Sequence, residues 1–273
     1  MSPALPAIRI PVYRPELGGN EMAYVQQCLE STWISSKGEF IDRFQSDFAR
    51  FIGAEHVVAV TNGTVALHLA LLGVGIGPGD EVIVPTLSFI ATANAVSHAG
   101  AVPHFIDSDL GTMGMSPDAL RAALEACTRE NGVLINPETG RRIAAISPMH
   151  TLGHPVKIEE ICAIAAEYGV PVVEDAAESL GSFVTNSAGE LQHTGTFGLT
   201  SMISFNGNKI VTTGGGGVIL TNDDQLGRRA KHLTTTAKLP HKWEFEHDEI
   251  AWNYRMPNLN AALGMAQLDK YPR

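Results

Sequence analysis

Long apolar runs are absent from these 273 residues, and no stretch approaches the ~18 consecutive apolar residues that a membrane-spanning helix needs. The first residues, MSPALPAIRIP, lack the continuous apolar core of a secretory leader. Basic residues are scarce. Nineteen Lys and Arg face 29 Asp and Glu, a net charge of −10, and no basic run exists to neutralise a nucleic-acid backbone or an anionic lipid surface. A phosphate-bearing ligand must therefore be held locally. Cysteine is equally sparse: Cys28, Cys127 and Cys162 are odd in number and lack metal-type spacing, so they read as reduced thiols in helices or core, as in a cytoplasmic protein. No His/Cys cluster accompanies His150 and His154, so no metal is expected.

What is present is a globular core, 44% of the residues being hydrophobic. Two amphipathic stretches open the chain, Asn20 to about Ser31 and Glu39 to Ile52. In the second, Ile41, Phe44, Phe48 and Phe51 recur at helical spacing and Gly53 supplies a stop. Short apolar runs then alternate with helical patterns: His56–Val60, Glu81–Val84, Val102–Ile106, Ile143–Ile146 and Val170–Val173, with helices expected from Thr64, about Ala91 and about Ile158. Such alternation predicts an α/β domain with a mostly parallel sheet between helices. The last two runs, Ser201–Phe205 and Gly216–Leu220, have no room for a crossover helix and predict an antiparallel hairpin or sharp loop at the sheet's edge. Residues 131–142 read as a polar, turn-rich insertion and 234–248 as a loop rich in charge and aromatics. One large domain is the simplest organisation.

Three constellations carry chemistry. Thr61-Asn62-Gly63-Thr64 follows a strand and opens a helix, whose free N–H groups and positive dipole end suit a phosphate; taken alone, it is an ordinary helix cap. Glu174-Asp175-Ala176-Ala177-Glu178 follows the run Val170–Val173, and strand ends in a parallel sheet face the ligand crevice. A carboxylate there can hold a proton on a heterocyclic nitrogen. Ser204-Phe205-Asn206-Gly207-Asn208-Lys209, followed by Gly214 to Gly217, places a lysine between two apolar strands beside backbone that can approach a ligand closely. Such a lysine can serve as a nucleophile.

The order of these pieces resembles the aspartate-aminotransferase-like, fold type I pyridoxal-phosphate enzymes, and within them the DegT/DnrJ/EryC1/StrS sugar aminotransferases. The resemblance runs from about Ile8 onward through STWISSKGEFIDRF (31–44), TNGTVALHLALL (61–72), GDEVIVPTLSFIATANAV (79–96), EDAAESLGS (174–182), GTFG (195–198), SFNGNKIVTTGGGG (204–217) and NYRMPNLNAALGMAQL (253–268). It implies a large domain with a seven-stranded, mostly parallel sheet over residues 26–273, an N-terminal arm over 1–25, and a smaller C-terminal domain of roughly a hundred residues that lies beyond this sequence.

The resemblance also implies roles. Lys209 would be the Schiff-base lysine, Asp175 the partner of the pyridine nitrogen, and Phe89 the ring stacked on the cofactor. Gly63, Thr64 and Val65 would cradle the phosphate, with Thr64 and Ser204 adding hydroxyls, and Glu178 would lie near the ring's phenolic oxygen. Asn253 would reach the phosphate of a partner subunit's cofactor, so the implied assembly is a homodimer with shared active sites. The cofactor cycles between pyridoxal 5′-phosphate and pyridoxamine phosphate, with L-glutamate as amino donor and a nucleotide-linked 4-keto-6-deoxy sugar as acceptor. Segments 233–250 and 131–142 look most like the LegC-type branch, which implies a UDP-linked N-acetylhexosamine; the alternative is a GDP-4-keto-6-deoxymannose aminotransferase of perosamine-synthase type. Lys209 stands where related dehydratases carry histidine. A protein that keeps the fold for binding or regulation, without turnover, is the remaining alternative.

Overall fold

A computed structural model describes residues 11 and 13–271. Helices α1 (Glu21–Ser31) and α2 (Glu39–Ile52) precede the alternating part of the chain, which runs β1 (His56–Val60), α3 (Gly63–Gly73), β2 (Glu81–Pro85), α4 (Ile90–His98), β3 (Val102–Ile106) and α5 (Pro117–Glu125). Short strands β4 (Thr128–Glu130) and β5 (Val133–Asn136) lead into β6 (Arg141–Ile146). After them come α6 (Ile158–Tyr168), β7 (Val173–Asp175), the hairpin β8 (Phe183–Thr185) and β9 (Leu191–His193), β10 (Thr200–Ser204), β11 (Gly217–Thr221), α7 (Asp224–Thr234) and α8 (Asn258–Leu268). Among the described residues no helix is long and apolar enough to cross a membrane.

The main sheet runs β1-β11-β10-β7-β6-β2-β3. Ladders join β1, β11, β10 and β7, and separately β6, β2 and β3. Parallel bridges at Ile146–Val172 and Met149–Asp175 connect the two halves. This is the expected seven-stranded sheet, with β11 its single antiparallel member.

Two expectations need correction. The hairpin β10–β11 forms, but β11 lies inside the sheet and not at its edge, because β1 pairs along its other side from His56–Thr221 to Val60–Gly217. The insertion 131–142 is turn-rich, yet Val133–Asn136 form a strand that pairs with β4 and with the start of β6. Segment 234–248 is irregular as expected.

The pleat sorts the core. Val58 and Val60 of β1, Val82 and Val84 of β2, Met202 of β10 and Ile219 of β11 face α3, α4 and α7 in one continuous cluster. Intervening residues face the other way, where two clusters form. Ala59, Ile203, Val218 and Leu220 meet the phenylalanines of α2 and the small face of α8; Ile83, Ile143 and Ile146 meet α5 and α6. Helix α3 is apolar nearly all round because it is packed almost all round. Its N-terminus is thereby fixed at the C-terminal end of β1, and the ends of β7 and β10 open onto the same crevice.

Candidate active site

Seven of the nine residues singled out in the sequence line one cavity of about 290 Å³: Gly63, Thr64, Phe89, Asp175, Glu178, Ser204 and Lys209. Larger hollows exist, one of about 440 Å³ beside Phe51 and Tyr271, but they hold no comparable set. The cavity sits over the strand ends, where open α/β sheets bind ligands.

Asp175 ends β7 and is buried. Its Oδ2 accepts the Thr92 hydroxyl at 2.7 Å and its Oδ1 accepts the Ala177 N–H at 3.2 Å. Burial raises its pKa above the ordinary 3.8, and these two donors only partly oppose it. Such a carboxylate favours a cationic N–H partner. Lys209 lies in the turn after β10, and its Nζ donates to Glu178 Oε1 at 2.8 Å. Glu178 Oε2 accepts the Leu152 N–H at 3.0 Å, so the acid is held from both sides.

At the opposite wall, Asn62 caps α3 by accepting the Val65 N–H at 3.0 Å. Gly63 follows because nothing larger fits: a Cβ there would lie 2.7 Å from Met202 Cε and 2.8 Å from Ser204 Cβ. This brings the helix terminus against β10, with Ser204 and Thr64 beside it. Phe89 caps α4 and is 66% exposed, so its ring is available to a ligand and is not core filling.

Two residues stand apart. Val65 packs against the core and its N–H is taken by Asn62. Asn253 does not line the cavity; it is exposed and bridges to Thr235. Reading the sequence alone missed Thr92, Met149 and Asn208. Thr92 was findable, since it stands one helical turn from Phe89; Met149, which accepts the Phe89 N–H through its sulfur at 3.3 Å, gave no signal.

A family model for the DegT/DnrJ/EryC1/StrS aminotransferase family matches residues 15–273. The chain belongs to this family. GDP-perosamine synthases of Escherichia coli O157:H7 and Caulobacter vibrioides are 44% and 43% identical to it over 261 and 262 residues. Each alignment covers 96% of this chain, but only 66% and 65% of the relative, so the chain spans slightly less than two thirds of their length. The crystal structure of NtdA from Bacillus subtilis with bound cofactor PMP superposes with a TM-score of 0.78 at 26% identity, covering 91% of this chain and 52% of that one.

The DegT-family cavity fits pyridoxal phosphate. A buried acid short of a cationic partner, a lysine within the same cavity, and a helix N-terminus approached through Gly63 match the ring nitrogen, the aldehyde and the phosphate respectively.

Proposed function

We propose that this chain is the cofactor-binding part of an aminotransferase that moves an amino group from L-glutamate to C4 of a GDP-linked 4-keto-6-deoxyhexose. The observation that carries the reading is the meeting of Lys209, Asp175 and the N-terminus of α3 around one cavity. The perosamine synthases named above support a GDP-linked acceptor over the UDP-linked N-acetylhexosamine expected from segments 233–250 and 131–142.

Bound pyridoxal phosphate supplies an electron sink that lets the α-carbon of an amine release its proton. Every other task falls to side chains. Asp175 orients the ring and keeps a proton on its nitrogen, and Thr92 fixes the carboxylate that does so. The N–H groups and dipole of α3 take the phosphate, helped by the hydroxyls of Thr64 and Ser204. Phe89 covers one face of the ring. Lys209 Nζ, which lines the same cavity, would be the amine that bonds the cofactor's aldehyde and the base that would move a proton at the donor's α-carbon. Glu178 accepts a hydrogen bond from Nζ at 2.8 Å and so holds it over the cavity.

In this reading residues 26–273 form the large domain and the first 25 an arm. Asn253, exposed and outside its own cavity, serves the phosphate of a second copy across a dimer interface. The substrate reading is tested by offering L-glutamate with GDP-, UDP- and dTDP-linked 4-keto-6-deoxy sugars and looking for the 4-amino product. Turnover confined to the GDP sugar is expected; preference for the UDP sugar would return the assignment to the LegC-type branch.

A further inference from the structure

The motif Gly195-Thr196-Phe197-Gly198 has no place in the site just described, and its partner explains why it is there. Glu174 precedes Asp175 on β7 and therefore points to the opposite side of the strand. Its side chain is wholly buried, yet it accepts four hydrogen bonds. Oε1 takes the Phe197 N–H at 2.7 Å and the Gly198 N–H at 2.6 Å; Oε2 takes the Gly195 N–H at 2.8 Å and His150 Nε2 at 2.9 Å. Four donors fill the acceptor sites of an ionised carboxylate. Against the burial that would raise it, His150 and these backbone groups hold the Glu174 carboxyl below its ordinary range. The two glycines are what allow the approach: a Cβ on Gly198 would lie 2.8 Å from Val172 O and 3.3 Å from Glu174 Cγ, and Gly195 has φ +84°.

His150 is buried as completely as its partner. Its Nδ1 accepts the Val156 N–H at 3.3 Å, which leaves the ring hydrogen on Nε2, aimed at Glu174. Its backbone is tied to the site: the His150 N–H donates to Asp175 O at 3.1 Å, and His150 O accepts the Gly153 N–H at 3.1 Å. Within that turn Leu152 is held at φ +54°, a left-handed conformation a leucine rarely adopts, and its N–H meets Glu178, which in turn holds Lys209. Contacts therefore run unbroken from Glu174 through His150 and the turn to Glu178 and Lys209. Asp175, Cys162 and His193 are the other titratable groups near the pair.

We propose that Glu174 and His150 are positioning residues of this site: the carboxylate fixes His150 as its Nε2–H tautomer, and the ring fixes the turn that aims Glu178 at Lys209. The proposal rests on the reading of Lys209 as the cofactor-bearing lysine. Nitrogen-15 histidine NMR on the full wild-type chain tests the first half. His150 is expected to show a protonated Nε2 and an acceptor Nδ1; an Nδ1–H or doubly protonated ring would overturn the proposal.

The second half is read by borohydride fixation of added pyridoxal phosphate and mass mapping of the Lys209 peptide. His150→Gln keeps a side-chain N–H donor and should retain most of the wild-type occupancy. His150→Leu, compared at equal folded fraction by circular dichroism, should lose it about tenfold or more, as displaced catalytic groups do. Equal occupancy in the leucine variant and the wild type would refute the proposal, as would a glutamine variant that falls as far as leucine. Should the leucine variant not fold, the wild-type tautomer and the glutamine variant decide. Absence of fixation in the wild type would defeat the cofactor reading instead, leaving the tautomer to judge the pair.

Discussion

Two adjacent acids, Glu174 and Asp175, show how one strand sends the same chemical group in opposite directions. Glu174 meets four donors and is held as a carboxylate below its ordinary range; Asp175 meets two, and burial drives its pKa up. An acid whose pKa is higher folded than unfolded penalises the folded state at any pH above the folded value, and the penalty disappears below the ordinary 3.8. Asp175→Asn should therefore stabilise the cofactor-free chain at pH 8 by about 1 kcal/mol, or about 2–4 °C in Tm, while abolishing tight cofactor binding. The gain should shrink as the pH is lowered toward 4. Thermal melts across that range check it, and an Asp175→Asn melt below that of wild type at pH 8 would show that Asp175 is a stabilising core residue.

At the scale of elements, the sequence was most legible where period and punctuation agree. Helix α2 begins at Glu39 and ends at Ile52 as its phenylalanine spacing and Gly53 require, and Gly53 adopts the left-handed φ of +79° that such a stop needs. Strand β7 was less legible. The apolar run Val170–Val173 points to a strand, but the paired residues are Val173–Asp175, because the ladder to β10 includes the two acids. Their burial depends on donors from Thr92, His150 and the 195–198 loop, all distant in sequence. The interior position of β11 was hidden for a similar reason: a hairpin without a crossover helix reads as an edge until β1, more than 150 residues earlier, is seen to pair with its far side. Five of the seven cavity residues were readable because each sits at a strand end or helix start, and Glu178 and Lys209 because they lie in the turns just after β7 and β10. The link through Glu174 was not, since nothing local says which face of a three-residue strand a second acid will choose.

Taken as a whole molecule, the chain displays apolar surface next to its cavity: Phe89, Ile90 and Leu87 are all exposed beside it. Asn253 lies outside that cavity altogether. A second copy would cover the first group and give the second a ligand, which is the homodimer proposed above. Sedimentation of the full chain should give twice the 29.2 kDa monomer mass; a monomer at micromolar concentration would leave Asn253 without its proposed role.

The central claim is that Lys209 is the group that carries pyridoxal phosphate. The direct measurement is to incubate the chain with the cofactor, reduce with borohydride, digest and map the added mass. The cofactor is expected on the Lys209 peptide, absent in Lys209→Ala, and the unreduced protein's visible band is expected to disappear when L-glutamate is added. Labelling spread over other lysines, or unchanged in Lys209→Ala, would contradict it.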